Sequence, residues 1–229
     1  MKVRIRFSKT GALVYIGHLD VMRYFQKLFR RANMPICYSE GFSPHQILSF
    51  SHPLPLGMES VGEYADIELY ERVTSKAAIE ALLEKSVPEI GIFSFKLLPD
   101  KCENAMAAVR AARYDIGFTE SCPFDDLEAA VKKLMEQESL VVTKTTKKSV
   151  KEEDIRPYIY ECFVKGDHIE MLLASGSIHN LKPELVMSAL GSIFGVTIEE
   201  TMLKMKRLDQ YAEGPDGLIS LDDIGEDIL

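Results

Sequence analysis

Residues 2–7 alternate cation and apolar side chain, Lys2-Val3-Arg4-Ile5-Arg6-Phe7, and from His18 onward the repeat becomes helical. Leu19, Met22, Phe25 and Phe29 then fall on one side, with Arg23, Lys27, Arg30 and Arg31 on another. This switch of period limits the fold more than any other feature, because it requires a strand buried on one face followed at once by an amphipathic helix. Pro35 ends the helix, since the residue before a proline is pushed out of the helical region. The stretch 38–57 is too rich in Gly, Pro and Ser for a long helix, yet carries His45, His52 and several large apolar residues. It reads as a loop pinned to the core and leading into a short strand.

Alternation returns over 63–70, with Ala65, Ile67 and Leu69 inward and Tyr64, Asp66, Glu68 and Tyr70 outward. Residues 75–85 form a helix with Ser75 as N-cap, and 90–98 a strand. Residues 1–98 therefore read β-α-β-β-α-β, the ferredoxin-like order. The second half repeats it: a strand over 114–120, a helix over 125–137, a strand over 140–145, a hairpin of 157–164 and 168–174 around Lys165-Gly166-Asp167, a helix over 183–193 and a strand over 202–208. That is one strand too many, so either 140–145 or 157–164 is an addition.

The expected architecture is α+β, with two tandem ferredoxin-like (βαββαβ) units at 1–98 and 114–211, the second with an extra strand. Residues 99–113, with an alanine-rich run, are the expected linker. Beyond Tyr211 six acids and no base follow, so 212–229 is expected to be a mobile or loosely docked acidic tail, whose Leu218, Ile219, Leu221, Ile228 and Leu229 could dock onto a partner or onto the basic half.

The net charge of −8 conceals an asymmetry. Residues 1–50 hold eight cations and two acids, a surplus of six, so the remainder carries −14. A polyanion responds to that local field, not to the total. No apolar run approaches the roughly 20 residues that span a bilayer, so no membrane association and a cytoplasmic setting are expected. Cys37, Cys102, Cys122 and Cys162 are scattered, without the short spacings of a zinc site or iron–sulfur cluster, so no metal and no cofactor are expected. The segment Ser175–Pro183 lacks the endings of a nucleotide-binding loop.

Opposite charges across paired strands should neutralise Arg4 and Arg6 against Asp66 and Glu68, leaving Arg23, Lys27, Arg30 and Arg31 as the better phosphate contacts. Lys144, Lys147, Lys148 and Lys151, interleaved with hydroxyls, form a second basic cluster suited to a phosphate backbone. A solvated helix face and a solvated hairpin tip are the plainer explanations of the two clusters. For proton transfer near neutral pH the concentrated groups are His18, Asp20, His45 and His52; of these, His18, Asp20 and His45 are the candidate catalytic set.

Together these residues resemble the bacterial radical-SAM-associated protein family, whose domain also occurs fused behind radical SAM modules. The resemblance runs through Arg4, Arg6, His18-Leu19-Asp20, Arg30-Arg31-Ala32, Tyr38-Ser39, Gly41-Phe42, Pro44-His45, Ser49-Phe50, Pro53-Leu54-Pro55-Leu56-Gly57, Glu63-Tyr64 and Asp66. It continues into Asp154-Ile155-Arg156, Gly176-Ser177 and Asn180-Leu181-Lys182-Pro183. Gly17, Ser43, Gln46 and Ile47 depart from the family pattern; a lysine is usual at position 47, so phosphate capture by this loop is weakened. The resemblance implies a partner radical SAM protein and an RNA context, tRNA or rRNA, with DNA not expected. The chain lacks the three clustered cysteines of a radical SAM centre.

The expectation is an accessory RNA-binding or partner-binding protein associated with a radical SAM RNA-modifying enzyme. It has no cluster of its own and is a binding module before it is an enzyme. Tyr38, Gly41, Phe42, Pro44 and His45 form its recognition platform. The alternatives are a metal-independent RNA-processing enzyme using His18 and His45, and a protein-interaction scaffold built on the acidic tail.

Overall fold

In the computed structural model the chain runs β1 (Lys2–Lys9), a 3-10 turn (Gly11–Tyr15), α1 (His18–Arg31), β2 (Leu48–Phe50), β3 (Glu59–Glu68), α2 (Ser75–Lys85), β4 (Ile92–Leu97) and α3 (Ala105–Ala108). It continues β5 (Val109–Phe118), α4 (Leu127–Met135), β6 (Val141–Thr146), β7 (Ser149–Asp154), β8 (Ile159–Lys165), β9 (His168–Ala174), α5 (Pro183–Ile193), β10 (Leu203–Gly214), β11 (Gly217–Ser220) and β12 (Glu226–Asp227). The structure describes residues 1–146 and 149–229, and for 144–146 and 149–151 the backbone alone. The fold is mixed α+β with mostly antiparallel strands. It divides into two units, residues 1–110 with 207–229, and residues 111–206.

In the first unit β4, β1, β3 and β2 lie in that order, each pair antiparallel, with Arg4 opposite Asp66 on β3 and Lys96 on β4. Val3, Ile5 and Phe7 point into a core with Phe25, Leu28, Phe29, Ile67, Ala78, Leu82 and Phe95. The alternation of residues 2–7 thus serves a helix-covered face, as its period requires. Between β1 and α1 the 3-10 turn Gly11–Tyr15 carries Leu13 onto the core, where Ile16 also packs.

Three expectations are corrected in this unit. First, Tyr64 is completely buried and Asp66 nearly so, because the sheet's second face is also covered. Tyr64 packs with Ala105, Ala108, Val109, Ala212 and Leu221, and its hydroxyl donates to Asp209. Second, 99–113 is no linker: Asn104 caps α3 by accepting from the Ala107 N–H, and β5 starts at Val109. Third, 212–229 is docked. β11 pairs with β10, β12 pairs with β4, and Leu221 and Ile228 are buried. One of the tail's acids is received by this unit: Asp222 meets Arg6 at 3.4 Å and accepts from the Ser94 hydroxyl. Where β3 runs beside β10, Gly62 permits the approach, since a Cβ there would strike the Leu208 carbonyl.

In the second unit the first residues of β10, then β5, β9 and β8, lie in that order. β5–β9 and β8–β9 are antiparallel. Val131, Leu134, Val186, Met187 and Leu190 are among the buried residues of α4 and α5. Asp126 caps α4 through the Ala129 N–H, and Pro183 opens α5. The additional strand belongs to a separate hairpin, β6–β7, whose base is fixed by Asp154 accepting from the Leu140 and Arg156 N–H groups. These bonds hold its carboxyl below the usual range.

Candidate functional site

α1 is amphipathic by construction. Val21, Phe25, Leu28 and Phe29 are buried, while Arg23, Lys27, Arg30 and Arg31 remain exposed. Arg30 and Arg31 occupy the last turn, where cations meet the negative end of the helix dipole. None of the four is tightly engaged. Arg23 reaches Asp20 at 3.2 Å between two exposed side chains, Arg30 donates to the Gln26 carbonyl at 3.1 Å, and Arg31 lies 5.9 Å from the Tyr24 ring. Lys27 has no hydrogen bond or ion pair among the described residues. Exposed pairs like Arg23–Asp20 are worth little, so the stripe keeps its charge.

The arginines of β1 are spent. Arg4 is buried and holds Asp66 through Nε at 2.8 Å and Nη2 at 2.9 Å, and the same carboxylate accepts from the Ala105 N–H at 2.7 Å. Arg6 donates to the Val61 and Leu208 carbonyls and pairs with Asp222, not Glu68; Glu68 meets Lys2 at 3.9 Å. Lys144 and Lys151 stand opposite each other in the β6–β7 register, while Lys147 and Lys148 lie outside the described residues.

The platform residues form a closed loop. Tyr38 bridges to Gln46, the Ser39 N–H donates to the His45 carbonyl at 2.8 Å, and the His45 N–H donates to Ser39 Oγ at 3.1 Å. Ser39 Oγ also lies 2.8 Å from His45 Nδ1. Gly41 turns the chain at φ +109°, a conformation other residues rarely adopt. Residues 40–45, including Phe42, Pro44 and His45, are all exposed.

The proposed catalytic set does not assemble. Asp20 is occupied by Arg23, His45 by Ser39, and no hydrogen bond, ion pair or ring contact joins His18 to either among the described residues. His18 instead stands edge-on to Phe50, ring centroids 5.5 Å apart, and lines a cavity of about 20 Å³ with Lys9, Ser51, His52 and Glu63. Lys9 is buried and donates to the Val14 and Ile16 carbonyls, and burial lowers its pKa. Glu63 is clasped by the buried Arg207 through Nε at 2.8 Å and Nη2 at 2.6 Å, and Nη2 also donates to the His52 carbonyl at 2.8 Å. The space admits one water and no nucleotide. The groups it brings together are two imidazoles and a buried cation beside the Arg207–Glu63 pair. Lys9, Glu63 and Arg207 escape sequence reasoning because Arg207's partner is 144 residues away. His52, by contrast, was visible beside His45.

Burial first, and then the charge of Arg207, hold the His52 pKa below its usual 6.5. A depressed histidine contributes stability that is fully present above the unfolded value and is lost as pH falls through the folded one. Thermal melts should therefore lose midpoint as pH drops below about 6.5, and His52→Gln should flatten that fall. Equal slopes for the two proteins would show that His52 is not the group responsible.

Among the described residues no three His, Cys, Asp or Glu side chains converge as a metal site. The four cysteines are free; burial pushes the Cys162 thiol up to about 12, which leaves it unreactive. No described helix is long and apolar enough to cross a membrane.

Among solved structures, the chain is similar to one in a structure described as a Cbf5-Nop10-Gar1 complex, with a TM-score of 0.47 and 12% identity. The match covers 91% of this chain and 48% of that one, so this chain spans about half its length. No curated protein matches. A family model described as an uncharacterized protein conserved in bacteria (DUF2344) matches residues 2–183, and the chain belongs to that family.

Proposed function

We propose that this protein is an RNA-binding accessory factor, working in the cytoplasm beside a radical SAM enzyme that modifies RNA. The observation that carries the RNA reading is the contrast between two sets of cations. Arg4, Arg6 and Arg207 are committed to carboxylates inside the fold, whereas Arg23, Lys27, Arg30 and Arg31 project from α1 with only weak local partners. Charge presented to solvent on a rigid helix suits a phosphate backbone, which such cations position without reading its sequence. The radical SAM partner rests on the motif resemblance. The strand orders β4-β1-β3-β2 and β10-β5-β9-β8 support two ferredoxin-like units, the second interrupted by the β6–β7 hairpin. If His18 has a chemical role, its proton partner is His52 and not His45, because those two line one cavity.

Filter binding to a single-stranded RNA tests the proposal. Four phosphate contacts at about 0.7 per contact give a log–log salt slope near −3, or about a 50-fold loss of affinity for a fourfold rise in salt. Replacing Arg23, Lys27, Arg30 and Arg31 together by Gln should abolish most of that slope while leaving thermal stability close to wild type. Salt-independent binding, or none, overturns the RNA reading.

A further inference from the structure

We infer that the loop 38–46 is a preformed stalk that stacks Phe42 on an unpaired nucleobase of the RNA held by α1. The inference rests on the RNA reading above and deepens it. Phe42 is fully exposed and makes no ring contact among the described residues, so both faces of its ring are open to a ligand. The loop beneath it is rigidly tied. The Tyr38–Gln46 bridge and three contacts between Ser39 and His45 close its neck, and Gly41 supplies the turn. The stem is anchored in turn: the Cys37 N–H donates to the Glu68 carbonyl at 2.8 Å and the Ile47 N–H to the Cys37 carbonyl at 2.9 Å. An aromatic ring held on such a support loses little freedom on binding.

The surroundings favour a base over a protein pocket. A protein-binding anchor normally lies within an apolar patch ringed by polar groups. Here Phe42 stands among Ser39, Glu40, Ser43 and His45, with Pro44 as the one other apolar side chain of the exposed tip and the half-exposed Tyr38 at the neck. A lone ring beside a cationic track is how single strands are bound without sequence preference, because every base has a π face. Six residues, 32–37, separate Arg31 from Tyr38, so their Cα atoms are at most about 25 Å apart. The Met34 N–H donates to the Phe29 carbonyl, folding that connection back onto the end of α1.

The chain contains no tryptophan, so Phe42→Trp creates a single fluorescent reporter. Titration with an oligoadenylate of about 12 nucleotides, a length within single-strand site sizes, should quench its emission, and the same strand in a duplex with oligouridylate should quench it far less. Phe42→Ala should bind the single strand about 5- to 150-fold more weakly, the range set by base–aromatic stacking, with an unchanged melting midpoint and an unchanged salt slope. If Phe42→Ala binds as wild type does while the α1 quadruple variant loses its salt slope, the stacking inference fails and the RNA reading stands. If wild type binds no RNA, both fail. A blue shift in the emission of the Phe42→Trp variant on raising protein concentration, with no response to RNA, would assign the loop to self-association and overturn the inference.

Discussion

Arg207→Ala is expected to lower stability by about 3–5 kcal/mol, read as a reduced urea midpoint with an unchanged slope. The reason is what stays behind. Glu63 is buried, and both of its oxygens are bound by Arg207 in a bidentate clasp. Truncating the arginine leaves a carboxylate inside the protein with Lys9 as the nearby cation, and Lys9 is already committed to two carbonyls. The His52 carbonyl also loses its donor. Glu63→Gln should be at least as damaging as a typical cavity substitution, since it leaves Lys9 and Arg207 without the charge between them. The double change Glu63→Leu with Arg207→Met should recover much of the loss, because a buried ion pair often contributes no more than a well-packed apolar pair. Additive losses in the double variant would show that the clasp is not a coupled unit.

Removing residues 220–229 should be the most destabilising change of all, enough to prevent cooperative unfolding of the first unit. A mobile acidic tail would be dispensable; this one is not. Leu221 and Ile228 are buried, and Leu221→Ala or Ile228→Ala alone should each cost about 2–5 kcal/mol. For a chain of this size that is a fall in midpoint of roughly 4–20 °C. Truncation also strips Asp222 from Arg6, Ser94 and Lys96, and Ser220 from Asp209, uncovering Tyr64. Ser75 would lose the bonds it makes to the Ile228 backbone through both its N–H and its hydroxyl. A truncated protein that melts at the wild-type temperature would contradict the docked arrangement.

Several elements of the first 98 residues were readable because their signals are local. Strand alternation over 2–7, the helical stripe of α1 and the proline that stops it depend on neighbours a few residues apart. The second face of the sheet was not readable for the opposite reason. Its cover is assembled from Ala105, Ala108, Ala212 and Leu221, scattered over more than a hundred residues, and the alternation at 63–70 gave Tyr64 the outward position. Six acids in a short segment suggested a solvated tail, but composition does not record that Arg6, Ser94 and Lys96 wait for Asp222. For the site, the exposed stripe of α1 followed from helical geometry. His18 and His45, close in sequence, diverge because α1 and the Ser39-tied loop carry them to different surroundings, and no periodicity encodes that.

The first unit consists of two pieces of chain, 1–110 and 207–229, whereas the second is the uninterrupted piece 111–206. During translation the inserted unit therefore has all its residues while the first still lacks Arg207, Leu221 and Ile228. A ribosome paused at that stage carries a nascent sheet with Glu63 unpaired, Tyr64 uncovered and an edge open to other chains. The second face of the N-terminal sheet cannot close before residues 207–228 have been made, so of the two units the first is the later to have all the chain that it needs.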